Sequence, residues 1–174
     1  RGVRAAPEDA GIWNPAFDYD ERRPGAVHGY HRKFCFWTPL GRGTPEFPGM
    51  MLGLMRGGSC HGVLFRVDKR HAEEQLTSVF RRELMTGSYY ARWVKAHTNN
   101  GPVRAIAFIA NRDYHNFCGR QPLETVAHHI ARAEGRIGAC RDYLVNTVRH
   151  LEAEGIRDRY LTSVLRLVER SSEP

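Results

Sequence analysis

No apolar run in this 174-residue chain approaches 18 residues, so a membrane-spanning helix is not expected. Cysteine is sparse. Cys35, Cys60, Cys118 and Cys140 include no Cys-x-x-Cys pair, which argues against a disulfide framework and against zinc. Four separate thiols suit a reducing cytoplasm. The histidines offer no better metal set: His28 and His31 in a strand point to opposite faces, and His128 and His129 stand about 100° apart on a helix. Lysine is confined to Lys33, Lys69 and Lys95, so the net charge of +7 rests on arginine. Those arginines are dispersed, as at Arg22-Arg23, Arg81-Arg82, Arg136 and Arg149, and no nucleic-acid motif accompanies them. A solvated cationic surface is expected, with neither nucleic acid nor membrane as partner.

The remaining composition is ordinary for a globular protein: 41% hydrophobic and 26% charged residues, in a length that suits one domain over 1–174. Residues 1–26 are irregular in pattern, with Trp13-Asn14-Pro15 as a compact turn. A strand is expected over 27–37, then a Gly/Pro loop over 39–49. Strands over 50–55 and 60–67 flank Arg56-Gly57-Gly58-Ser59, which reads as a tight hairpin turn. Strands over 89–97 and 103–110 meet through Asn99-Asn100-Gly101, a hairpin signal because Asn and Gly tolerate positive φ. Pro122 opens a helix ending near Gly135, and a second, with Cys140, Tyr143, Leu144, Thr147, Val148 and Leu151 inward, stops at Gly155. Asp158 starts a last helix with Leu161, Val164, Leu165 and Val168 inward. The class is α+β: a small open barrel of antiparallel or mixed strands, one inserted helix and a helical tail.

The inserted helix carries the most chemical residue. Leu76, Val79, Phe80 and Leu84 recur at helical spacing, and Glu83 projects into the middle of that stripe. A carboxylate held against apolar neighbours suits proton transfer. A structural glutamate paired with Arg81, Arg82 or a distant cation is the other reading. Trp13 and Trp93 read as core.

The ordered series Trp13-Asn14-Pro15, Gly29-Tyr30-His31-Arg32-Lys33-Phe34-Cys35, Arg42-Gly43-Thr44-Pro45, Gly57-Gly58-Ser59-Cys60, Arg81-Arg82-Glu83-Leu84-Met85-Thr86-Gly87-Ser88-Tyr89 and Asp142-Tyr143-Leu144 resembles the ChaC-type γ-glutamylcyclotransferases. The resemblance runs from Ile12 to Val168. It implies an enzyme without metal or cofactor that cyclises the γ-glutamyl group of glutathione to 5-oxoproline and releases cysteinylglycine. Glu83 would be its general acid and base. Arg42 is the candidate cation for the substrate's carboxylates, with Gly43 next to it, or a structural residue of its Gly/Pro loop. Tyr89 either offers its hydroxyl to the glutamate or the substrate or packs at the core edge. Another γ-glutamyl amine as substrate, or a family member turned binding protein, are the alternatives.

Two departures from the family pattern stand out. Glu8-Asp9-Ala10-Gly11 aligns with the family's Tyr-Gly-Ser-Leu loop, and Arg4-Ala5-Ala6-Pro7 occupies the place of an apolar strand. The first strand is thus expected to be atypical or missing, with Ala10 and Gly11 left to supply backbone N–H groups to the substrate. Phe117 stands where relatives usually carry tyrosine, and Tyr114 is out of register with that position.

Overall fold

Two 18-residue strands, β1 (Glu21–Thr38) and β2 (Gly49–Arg66), form the longest hairpin of the molecule. A computed structural model describes residues 17–171. The expected turn at 56–59 is not a turn. Gly57 and Gly58 do adopt positive φ, at 100° and 70°, but β2 runs straight through them. The register passes from His28↔Ser59 to Tyr30↔Arg56, so two glycines of β2 face Gly29 alone. This is a bulge. The strand stays unreversed because β1 begins at Glu21, well inside the segment read as irregular, and gives residues on both sides of the bulge a partner.

Helix α1 (Ala72–Leu84) comes next, then the β3 (Tyr89–Thr98) and β4 (Gly101–Ala110) hairpin, turned at Asn99-Asn100 as expected. The four strands make the small barrel, and among the described residues it is closed, in the order β1-β2-β4-β3. Its two long hairpins are joined by short seams. β1 meets β3 at Ala26↔His97 and Val27↔Ala96, and β2 meets β4 in parallel at Leu54↔Ile109.

Helix α2 (Leu123–Arg132) ends before the expected Gly135, because residues 134–139 form a small hairpin of β5 (Glu134–Gly135) and β6 (Gly138–Ala139). Helices α3 (Cys140–Ala153) and α4 (Arg159–Arg170) complete the tail. The three helices pack on one side of the long hairpin. Phe34, Met50 and Leu52 meet Val126, Ile130, Leu144, Leu161, Val164 and Val168 in a dry cluster. Each large side chain removed from water there contributes roughly 1.5–3 kcal/mol. A smaller cluster of Cys35, Phe36 and Ala110 is backed by Tyr89, Tyr114 and Phe117.

Helix α4 is tied to the barrel through Asp158. Its Oδ1 accepts from the Leu161 N–H at 3.1 Å, capping the helix, and its Oδ2 accepts from Arg32 Nη1 at 2.7 Å. Among the described residues no helix is long and apolar enough to cross a membrane.

Candidate active site

Glu83 lies in the last turn of α1, and the connection from that turn into β3 sets its position. Gly87, at φ 77°, lets the chain reverse, and its N–H closes on the Leu84 carbonyl at 3.0 Å. Asn111, just past β4, then clamps the connection: its side chain donates to the Gly87 carbonyl and its main chain to the Ser88 carbonyl, each at 2.8 Å. Ser88 is buried, and its hydroxyl bonds to that of Thr86. The helix end carrying Glu83 is thereby fixed to the start of β3.

The apolar stripe expected around Glu83 is thinner in the structure. Val79 is the buried residue of α1, Phe80 packs edge-on against Phe108 at 6.0 Å, and Leu76, Leu84 and Glu83 are half-buried. Glu83 Oε1 accepts from Arg82 Nε at 2.8 Å, so the ion pair weighed as the structural reading does form. Among the described residues its Oε2 has no hydrogen bond.

Tyr89 stands six residues on, at the first position of β3. Its hydroxyl donates to the Leu52 carbonyl at 2.7 Å, and its ring packs edge-on against Phe36 at 5.3 Å. Burial pushes this phenol well above the usual tyrosine range, and the nearby Tyr143 and Glu83 push it further. It is thus a neutral hydroxyl within electrostatic reach of Glu83.

Tyr143, read from sequence as an inward core position of α3, is part of the same arrangement. Its hydroxyl also bonds to the Leu52 main chain, so two tyrosines converge on one residue of β2. Burial raises its pKa, opposed by the Leu52 bond and by Arg42. The available signal was the hydroxyl itself, since a buried tyrosine requires a polar partner.

Arg42 lies over the Tyr143 ring, its guanidinium carbon 5.1 Å from the centroid, and donates to the Ala139 carbonyl at 3.2 Å. Gly43 is a packing residue. A Cβ there would fall 2.1 Å from the Gly49 nitrogen, and Gly135 presses on the same loop, where a Cβ would fall 2.5 Å from the Gly43 nitrogen. Contacts therefore run in series from Arg42 through Tyr143 and Leu52 to Tyr89, whose hydroxyl feels the charge of Glu83. Ala10 and Gly11 lie outside the described residues, as does the expected defect at 4–11.

Phe117 packs on Phe36 at 5.6 Å, and Tyr114 packs on the same ring at 5.9 Å. Tyr114 therefore joins the aromatic cluster around Tyr89 in spite of its offset in sequence. Trp93 is a correction: it is 62% exposed, because its place on β3 leaves it outside both apolar clusters.

The family model described as ChaC-like protein matches residues 10–171. The glutathione-specific γ-glutamylcyclotransferase of Escherichia coli K12 is 34% identical over 160 residues, covering 91% of this chain and 69% of that protein. γ-Glutamylcyclotransferase 2-3 of Arabidopsis thaliana is 32% identical over 163 residues, covering 88% of this chain and 81% of the relative. A crystal structure of a yeast γ-glutamyl cyclotransferase specific to glutathione superposes with a TM-score of 0.83. At 22% identity, over 92% of this chain and 93% of the yeast chain, that likeness speaks for the fold.

Proposed function

Because this chain belongs to the ChaC-like family, we propose that it is a γ-glutamylcyclotransferase acting on glutathione, with Glu83 as general base and then general acid. The substrate's α-amine attacks the γ-carbonyl carbon of the same glutamyl unit. The new C–N bond closes a five-membered lactam, and the carbonyl π pair moves onto oxygen. Glu83 takes the proton that the attacking nitrogen loses. When the oxyanion collapses, the bond to the cysteinyl nitrogen breaks and Glu83 returns the proton to that nitrogen. The products are 5-oxoproline and cysteinylglycine. Attack within one molecule supplies proximity, so the protein's task is to hold the folded conformer.

The observation that supports the assignment is Glu83 in the last turn of a clamped helix, within electrostatic reach of the buried Tyr89 hydroxyl. The substrate's α-amine is the natural partner for Oε2, while Arg82 occupies Oε1. Arg42, next to Tyr143, is the cation proposed for a substrate carboxylate. A reducing cytoplasm is the proposed compartment, supported by four free thiols at Cys35, Cys60, Cys118 and Cys140.

The test is 5-oxoproline release from glutathione, comparing this chain with Glu83→Gln. Release by the parent and its loss in the variant, with an unchanged melting temperature, is the expected result. Release that survives in Glu83→Gln removes the glutamate from the mechanism. Failure of the folded parent to release 5-oxoproline removes the activity.

A further inference from the structure

Glu21, at the start of β1, is the one carboxylate in the four barrel strands. It is already engaged by Arg23 and Arg66. The outer face of the barrel farther along has no acidic residue of its own, and it gathers cations. Lys95 and Arg104 are directly opposed across β3 and β4. Like charges in that position repel and weaken the pairing. Neither makes an ion pair among the described residues. Beside them, the ring of His97 lies 4.9 Å from that of His28, and the register His61↔Ala26↔His97 puts a third imidazole on the same side. All five of these side chains are exposed.

Trp93 stands on this face, two residues before Lys95, with the Arg104 guanidinium 4.6 Å from its ring centroid. A tryptophan left mostly in water, flanked by an arginine and a lysine without counter-ions, has the composition of a binding hot spot and little value to the isolated fold. We propose that this outer face of β1, β2, β3 and β4 docks an acidic segment of a partner polypeptide. Carboxylates of the segment would neutralise Lys95 and Arg104, and an apolar side chain would cover Trp93.

Two other anionic partners fit less well. Nucleic acid held by phosphate contacts calls for many fixed cations, whereas two are present here. A lipid surface calls for a polybasic cluster together with inserted apolar side chains, and Trp93 is one exposed ring among polar neighbours.

The experiment titrates a fluorescein-labelled dodecapeptide of alternating glutamate and leucine with the full chain, followed by anisotropy. Parallel titrations use a twelve-nucleotide oligo-dT and vesicles of phosphatidylserine and phosphatidylcholine. Saturable peptide binding is expected, weakened about tenfold by Lys95→Glu and by Trp93→Ala, with thermal melts and 5-oxoproline release unchanged. Should Trp93→Ala fail to fold, Arg104→Glu probes the same face. The proposal is overturned if the peptide does not bind saturably, if these substitutions leave its binding intact, or if oligo-dT or vesicles bind more tightly. The readout is binding, so failure of the proposed enzymatic activity would leave its outcome separate.

Discussion

Tyr89 of β3 and Leu52 of β2 are joined by a 2.7 Å hydrogen bond from phenol to main-chain carbonyl, although their strands are not neighbours in the barrel. Tyr143 approaches the same main-chain residue from α3. One residue of β2 thus sets the relative position of the helix tail and of the strand that leads away from Glu83.

Tyr89→Phe leaves the buried Leu52 carbonyl without its donor. The expected cost is about 1–3 kcal/mol of stability, the usual range for an unsatisfied buried polar group. Turnover should fall as well, since the neutral hydroxyl within electrostatic reach of Glu83 is lost. Urea denaturation and 5-oxoproline release, measured on the same preparation, check both effects.

Asp158→Ala removes two bonds at once, the cap of α4 and the partner of Arg32. A lost cap alone costs about 1 kcal/mol, and stranding a half-buried arginine adds to it. Asp158→Asn keeps a capping oxygen and should lie between the parent and the alanine variant. A melt in which Asn and Ala are equally destabilising would show that the ion pair, and not the cap, dominates.

Gly43→Ala should prevent folding or yield insoluble protein, because the added methyl meets main-chain atoms of Pro48 and Gly49, the nearest at 2.1 Å. Gly62→Ala is the control. Its nearest neighbour would be the end of Arg32, at 3.6 Å, and a soluble protein with near-parental stability is expected.

Alkali should destabilise the fold. Burial pushes the Cys35 thiol up to about 12 and those of Cys118 and Cys140 up to about 11, against 9.0 for a free thiol. Above pH 9 the unfolded chain therefore loses protons that the folded chain keeps, and the equilibrium moves toward unfolding. The stabilisation is complete below pH 9 and is lost as pH rises toward 11–12. Urea midpoints between pH 7 and 10.5 should decline chiefly above pH 9, and Cys140→Ala should flatten that decline.

Features specified by neighbouring residues were legible in the sequence. Asp158 as a helix start, Asn99-Asn100-Gly101 as a hairpin turn and the apolar faces of α3 and α4 all depend on local chemistry. Gly57-Gly58 defeats a local reading because a turn and a bulge both require positive φ, and only the distant partner strand decides between them. Trp93 does so for a related reason: its alternation pattern does not tell which side of a barrel the helices will cover. The helix carrying Glu83 was evident, but Tyr143 was hidden as a member of the candidate site, since its partner Leu52 lies far away along the chain.

The short seams of the barrel bear on motion. The β1–β2 and β3–β4 hairpins are zipped along their length, yet among the described residues the backbones of β2 and β4 meet at Leu54↔Ile109 alone. The Tyr89–Leu52 bond lies beside that crossing and ties the same two hairpins. Each hairpin is therefore a rigid half, and breathing between the halves would separate Tyr89 from Leu52 without melting either one. Amide exchange would then report slow protection along both hairpins and faster opening at their joint, where the proposed chemistry takes place.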